Sequence, residues 1–171
     1  TMATTEDQTP QAAPPRVLTD DMVREIGALF PRYPTRQAVT LPALHVVHRE
    51  LRHVPLQAVA EIAELLKLAP AEGQDTLTFY GFFKQDKPHG RTRAWVCRSI
   101  SCALLGADQL LEHLTPRAGI NPGETTADGK LTLEYAECLG ACEFAPCMLA
   151  NETLHANMTE AKGDEFLESL K

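Results

Sequence analysis

The chain has 171 residues, of which 44% are hydrophobic and 23% are charged, a balance that is ordinary for one globular unit or two small subdomains. Its formal net charge is −7 and no basic stripe offsets this acidity, which argues against binding to a nucleic-acid backbone. No apolar run is long enough to cross a bilayer, and the sequence contains no glycine-rich nucleotide-binding motif. Direct membrane insertion and nucleotide binding by this chain are therefore not expected.

The N-terminal half begins with a tail and continues as helix. Residues 1–17 are rich in Thr, Pro, Gln and Ala without apolar periodicity, which predicts a flexible tail that also lacks a signal peptide. Residues 18–84 carry apolar side chains at helical spacing and predict a small helical bundle. Its helices are expected at these places: after a cap at Thr19 and Asp20, over residues 36–52 with Pro42 bending the helix or setting its true start, from Pro55, and briefly from Pro70.

The C-terminal half, residues 85–171, alternates between strand and helix patterns. Asp128-Gly129 is a strong turn signal, and the alternation that follows it predicts a half-buried strand ending just before a cysteine. The predicted elements are a strand over 91–97, a helix over 102–114, a strand over 131–136, two short strands over 147–150 and 153–157, and a helix capped by Thr159. The sequence therefore predicts an α/β (α+β) fold, with helices first and a small sheet afterwards.

Two cysteine pairs carry the chemistry of the sequence. Cys97 and Cys102 are separated by four residues, and Cys138 and Cys142 by three. Both pairs are predicted to lie in loops after strands, where rigid elements can present ligands. Four thiolates suit an iron–sulfur cluster or zinc, and the wide gap of the first pair favours the larger iron–sulfur core, although zinc stays open on spacing alone.

A fifth cysteine, Cys147, follows Pro146 near the second pair. A disulfide framework is disfavoured because five is an odd number and no signal peptide indicates an oxidising compartment. Cys147 has two interpretations, a small buried hydrophobe or a substitute ligand, and we favour the first because a thiol packs well in such a place. Gly140 and Ala141, between the second pair, are expected to let backbone N–H groups approach the sulfurs.

From about Pro42 to Leu170 the sequence resembles the thioredoxin-like 2Fe–2S subunit of respiratory complex I, an NADH:quinone oxidoreductase. The match combines both ligand pairs with the turn and strand between them. Its segments are Leu77-Thr78-Phe79-Tyr80, Val96-Cys97-x4-Cys102, Gly123-Glu124-Thr125-Thr126-x-Asp128-Gly129-Lys130-Leu131-Thr132-Leu133, and Glu137-Cys138-Leu139-Gly140-Ala141-Cys142-x-x-Ala145-Pro146.

The resemblance implies an N-terminal helical bundle followed by a thioredoxin-like 2Fe–2S ferredoxin domain. It implies a 2Fe–2S cluster on Cys97, Cys102, Cys138 and Cys142, and a hetero-oligomer with a flavin-bearing, NADH-oxidising subunit that holds the FMN and NAD. It also implies an electron-transfer role without catalysis by this chain alone. The expected location is cytoplasmic and peripheral to the inner membrane, or the mitochondrial matrix in a eukaryote.

Three other interpretations remain at this point. Close relatives of the family serve NAD-linked formate dehydrogenases and hydrogenases, so the parent complex could be one of these. A zinc-stabilised interaction module would use the same four thiolates without redox chemistry. A free-standing shuttle ferredoxin is disfavoured because the N-terminal bundle would then have no evident purpose.

The histidines and aromatic residues of the bundle offer weaker signals. His45 and His48 lie three residues apart on a predicted helix, and with His53 they could hold a metal, but ordinary helix positions are the preferred interpretation. Four aromatic residues are expected to pack in the core and at the subdomain interface rather than to stack on a flavin: Phe79, Tyr80, Phe82 and Phe83.

Overall fold

The structure, a computed structural model, describes residues 15–170, and these form two compact units that divide between Lys87 and Pro88. Within these residues, no helix combines the length and the apolarity needed to cross a membrane. Most of the predicted tail lies outside the described residues. Val17, its last residue, is fixed in place, because its backbone N–H donates to the Glu61 carboxylate at 2.9 Å. The tail and domain boundaries suggested by the sequence stay predictions.

The first unit is helical, as the apolar spacing predicted. Thr19 caps the first helix, and its Oγ1 accepts the backbone N–H of Met22 at 3.2 Å. The second helix begins at Thr40, so Pro42 lies in its first turn, where a missing N–H costs no hydrogen bond. The helices are α1 (Asp20–Leu29), α2 (Thr40–Leu51), α3 (Leu56–Leu66) and α4 (Pro70–Phe79), with short 3-10 turns at Phe30–Arg32 and Gln37–Val39.

Gly73 explains why α4 is longer than its sequence pattern predicts. Glycine weakens a helix interior, but Gly73 is buried against α3. A Cβ at this position would come within 2.9 Å of Val59 Cγ1. The close approach of the two helices therefore requires a residue without a side chain there, and packing compensates for the poor helix propensity.

The second unit is a four-stranded sheet with helices. The strand order is β2-β1-β3-β4; β1 and β2 are parallel, and the other pairs are antiparallel. Its elements are β1 (Thr92–Cys97), α5 (Ile100–Leu104), α6 (Ala107–Ala118), β2 (Leu131–Ala136), β3 (Met148–Ala150), β4 (Thr153–His155) and α7 (Glu160–Ser169). The predicted order of strands and helices is confirmed, and Thr159 caps α7 by accepting the N–H of Lys162.

Two local predictions in this unit were wrong. The helix expected over 102–114 is interrupted by Gly106, whose φ of 101° cannot continue a helix, so α5 and α6 are separate. The strand β2 was expected to bury one face, yet Thr132 and Glu134 are buried as well. The reason is that the neighbouring strand β1 presents Arg93, whose Nε lies 2.6 Å from Glu134 Oε2. Glu134 is thus buried as part of an ion pair, although the alternation of polar and apolar residues along β2 predicts that it faces solvent.

Candidate metal centre

The parallel pairing of β1 and β2 brings both cysteine pairs to one edge of the sheet. Cys97 is the last residue of β1 and pairs in register with Ala136, the last residue of β2, so Cys138 follows two residues later at the same edge. Cys102 lies within α5 rather than in a loop, which corrects the sequence-based expectation. Cys142 begins a 3-10 turn. Carboxyl ends of parallel strands are a common place for ligand-bearing loops.

Three thiols lie close together in the core of the second unit. The Sγ atoms of Cys97, Cys102 and Cys147 are all within 4.8 Å of one another, and those of Cys102 and Cys147 are 3.8 Å apart. Their side chains are buried, with residue exposures of 2%, 1% and 0%. Cys138 and Cys142 are exposed and do not belong to this group. The sequence placed Cys147 near the ligand loop but did not predict its contact with the first pair.

Backbone N–H groups connect the second loop to the first pair. Leu139, between Cys138 and Cys142, donates its N–H to the Cys97 sulfur, which also accepts from the N–H of Ser99. Gly140 donates its N–H to Cys138 Sγ at 3.4 Å, and its φ of 74° favours glycine there. The expected role of Gly140 is thus confirmed, whereas the Ala141 carbonyl accepts from the Phe144 N–H at 3.0 Å.

The local environment shifts the pKa values of the three buried thiols in different directions. Burial opposes ionisation of Cys97, but the two backbone donors and the neighbouring thiols outweigh it and lower its pKa. Burial raises the pKa of Cys102, although the backbone N–H of Cys147 opposes that shift. Burial, followed by the sulfurs of Cys102 and Cys97, raises the pKa of Cys147 to about 12. Because thiolates are the metal-binding form, Cys97 is the best prepared of the three to act as a ligand.

Large apolar side chains on the cysteine-bearing segments face solvent. On and just after α5, Ile100 is 78% exposed, Leu104 is 82% exposed, and Leu105 is also exposed. Phe144, in the 3-10 turn that begins at Cys142, is 40% exposed. Isolated exposed apolar residues are ordinary, but three within one short segment indicate a contact surface beside the cysteines.

The donor set fits an iron–sulfur cluster. In the described residues, the group of closely spaced potential metal ligands contains sulfur and neither histidine nor carboxylate, which suits soft metals rather than Mg²⁺ or Ca²⁺. One buried pair and one exposed pair meet at the same sheet edge, and the intervening loop contacts the buried pair.

The histidines of the first unit are packing residues in this structure. The ring of His48 lies 4.6 Å from that of Phe82, and the ring of His45 lies 5.0 Å from that of Phe83, centroid to centroid. His53 Nδ1 is 3.0 Å from the Leu51 carbonyl. The rings of His45 and His48 thus pack against the aromatic side chains that follow α4.

The aromatic segment of the first unit is only partly core. Phe83 is buried, but Phe79 is 80% exposed, and Tyr80 and Phe82 are exposed as well. The expected core position is thus confirmed for Phe83, whereas Phe82 is exposed although its ring packs on that of His48. The expected packing at the subdomain interface stays a prediction.

Comparison with known proteins agrees with this geometry. The model of the thioredoxin-like [2Fe-2S] ferredoxin family matches residues 26–171. The chain is 40% identical over 150 residues to an NADH-quinone oxidoreductase subunit of Rhizobium meliloti, covering 88% of this chain and 89% of the relative. It is 34% identical over 155 residues to NADH-quinone oxidoreductase subunit 2 of Thermus thermophilus, covering 89% of this chain and 85% of that relative.

A solved structure of similar fold is the NAD+-reducing [NiFe]-hydrogenase in the air-oxidised state. The TM-score is 0.66 at 29% sequence identity, over 77% of this chain and 22% of the hydrogenase chain. The present chain thus corresponds to about one fifth of that larger polypeptide. The family match spans both cysteine pairs and nearly the whole described chain, and the chain therefore belongs to the thioredoxin-like [2Fe-2S] ferredoxin family.

Proposed function

We propose that the chain is the electron-transfer subunit of an NADH:quinone oxidoreductase and that Cys97, Cys102, Cys138 and Cys142 hold its 2Fe–2S cluster. It exchanges single electrons with a flavin on an NADH-oxidising partner subunit. The observation that carries the proposal is the meeting of both cysteine pairs at one sheet edge in a chain of this family. The similarity to NADH-quinone oxidoreductase subunits over most of both chains supports the parent complex.

When bound, the cluster supplies a one-electron redox centre, and the chain supplies its ligands and surroundings. The cluster would be held by the buried pair, Cys97 and Cys102, together with the exposed pair, Cys138 and Cys142. The N–H groups of Leu139 and Ser99 donate to the Cys97 sulfur and stabilise negative charge there. The second pair is exposed, and Ile100 and Leu104 on the helix that carries Cys102 are exposed too, which allows close approach of a partner's redox group.

A specific observation favours a second parent complex. The similarity to a chain of NAD+-reducing hydrogenase supports an equivalent electron-transfer subunit of a hydrogenase or NAD-linked formate dehydrogenase. We prefer the quinone oxidoreductase because the match covers 89% of the Rhizobium meliloti subunit and 85% of the Thermus thermophilus subunit, whereas the chain spans 22% of the hydrogenase chain. In that assembly the subunit would lie on the cytoplasmic side, or the matrix side in a mitochondrion, peripheral to the inner membrane.

The partner requirement gives a direct prediction. The purified, cluster-loaded chain is expected not to oxidise NADH with an artificial electron acceptor, because it carries no nucleotide-binding motif. After anaerobic mixing with the flavin subunit, NADH is expected to reduce the cluster within the turnover time of the complex. Stopped-flow absorbance and spin resonance measure both results.

The matched control is the flavin subunit mixed with the Cys138→Ala chain, which lacks a proposed ligand and is expected to show no cluster signal on addition of NADH. NADH oxidation by this chain alone, or stoichiometric flavin bound to it, would contradict the proposed division of labour. A colourless protein that contains zinc and no iron would instead establish the zinc-stabilised interaction module.

The helical unit gives a second prediction, namely that it helps to dock the chain on the flavin subunit. Each proposed ligand lies in the second compact unit, whereas the first unit exposes Phe79, Tyr80 and Phe82. Such aromatic side chains are favoured at protein interfaces. A chain that starts near Gln85 is expected to assemble a cluster but to bind the flavin subunit at least about tenfold more weakly, a loss of about 1.4 kcal/mol.

Binding is measured by titration calorimetry with the full and shortened chains, after iron analysis has matched their cluster content. The full chain with Phe79→Ser separates loss of the exposed aromatic surface from loss of the whole bundle. Equal affinity of the full and shortened chains would remove the docking role from the helical unit.

A further inference from the structure

We propose that Cys147 is a positioning residue whose thiol donates an S–H···S hydrogen bond to the Cys102 sulfur and raises the reduction potential of the cluster. The inference rests on the proposed function, because it assigns Cys102 as a ligand and leaves Cys147 uncoordinated. The proposed donor is a side chain, and it acts in addition to the backbone N–H donors, which do not depend on the identity of the residue.

The contact between the two residues is double. Cys147 Sγ lies 3.8 Å from Cys102 Sγ, a suitable separation for a sulfur donor and a sulfur acceptor. The backbone N–H of Cys147 also donates to the Cys102 sulfur. One residue therefore directs two donors at one ligand atom.

The surroundings of Cys147 favour a neutral thiol rather than a metal-bound thiolate. Its side chain is fully buried in the apolar core of the second unit, among residues such as Val96 and Met148. Its carbonyl accepts the N–H of Cys97 at 3.1 Å, which fixes its backbone immediately before β3. An apolar environment disfavours the charged form of a thiol, and the thiol form is the one that can donate.

The other two cysteines are placed to complete the coordination from outside. Cys138 and Cys142 are exposed, and their loop contacts the Cys97 sulfur through the N–H of Leu139. Together with Cys97 and Cys102, these two residues provide four thiolates. Cys147 then remains uncoordinated and can donate its S–H to the Cys102 sulfur. Three buried thiols alone would not supply the four ligands of a 2Fe–2S cluster.

The consequence concerns the reduced state. Reduction adds a negative charge to the cluster, and hydrogen bonds to its sulfur ligands stabilise that charge and raise the potential. The acidic chain, with a net charge of −7, acts in the opposite direction. A buried S–H donor is protected from water, so its contribution is not diluted by solvent.

The first test is an equilibrium redox titration of cluster-loaded Cys147→Ala and Cys147→Ser, alongside the unsubstituted chain. Cys147→Ala removes the donor and is expected to lower the midpoint potential. Cys147→Ser keeps a donor of similar size and is expected to restore part of the shift. Equal potentials in all three proteins would overturn the proposal, as would loss of iron in Cys147→Ala, since that result would make Cys147 a ligand.

The second test needs no variant. The chain has five cysteines, so four ligands leave one S–H group in the loaded protein. An infrared S–H stretching band is expected that moves to lower frequency in D₂O and shifts again on reduction of the cluster. Absence of the band, or a band unchanged by reduction, would overturn the inference. A wild-type chain that binds no iron would overturn the proposed function itself, which separates the two failures.

Discussion

Replacement of Cys138 by Ala is expected to reduce iron and acid-labile sulfide in the purified chain to background. Each iron of a 2Fe–2S cluster is held by two thiolates, and the loss of one leaves a position open to water and to hydrolysis of the cluster. The same result is expected for Cys97→Ala, Cys102→Ala and Cys142→Ala. Anaerobic purification, iron and sulfide analysis, and spin resonance of the dithionite-reduced protein measure the outcome.

Cys147→Ala is the matched control for these variants, because it also removes one thiol from the same site. It is expected to retain about two iron atoms per chain. The comparison is informative because Cys147 Sγ lies only 3.8 Å from Cys102 Sγ, so a neighbouring thiol is removed while the proposed ligands stay. A normal cluster in Cys138→Ala combined with none in Cys147→Ala would replace the proposed ligand set by one that includes the three buried thiols.

Much of the fold could be predicted because local signals and packing agree. Apolar spacing located the helices of the first unit, and the turn at Asp128-Gly129 located β2. The break at Gly106 is a local feature, but two other features that periodicity did not specify depend on contacts between elements. Gly73 is compatible with a helix because it packs closely on Val59, and Glu134 is buried because Arg93 lies on the neighbouring strand. Neither partner can be identified from periodicity within one segment.

In the candidate site, too, local sequence signals could be predicted, whereas contacts between elements could not. Spacing and resemblance indicated the two cysteine pairs, but only the parallel pairing of β1 and β2 explains why they meet at one edge. The fifth thiol was the least predictable feature. A cysteine before a short strand is compatible with ordinary burial, and its distance to Cys102 depends on where β3 pairs with β1. Tertiary register, which the sequence pattern does not specify, decides that contact.

Replacement of Glu134 by Ala is expected to lower the free energy of unfolding of the second unit by about 3–5 kcal/mol, because it leaves the Arg93 guanidinium buried without its carboxylate. The two side chains are 4% and 8% exposed, with Nε and Oε2 2.6 Å apart. Trp95 Nε1 also donates to the same carboxylate oxygen at 2.8 Å and loses that acceptor. Urea unfolding followed by circular dichroism should show a midpoint lower by about 1 M or more.

The control is Glu137→Ala, which breaks the pair between Glu137 and Arg98, the residues that directly follow β2 and β1. Both of those side chains are largely exposed, so water replaces the lost partner and the midpoint is expected to change little. The double variant Arg93→Met with Glu134→Leu distinguishes loss of the Arg93–Glu134 ion pair from a packing defect. Because burial of apolar side chains avoids the desolvation of two charges, it should recover most of the stability lost in Glu134→Ala. If the double variant is no more stable than Glu134→Ala, the loss comes from packing around β1 and β2, and the buried charge is not its cause.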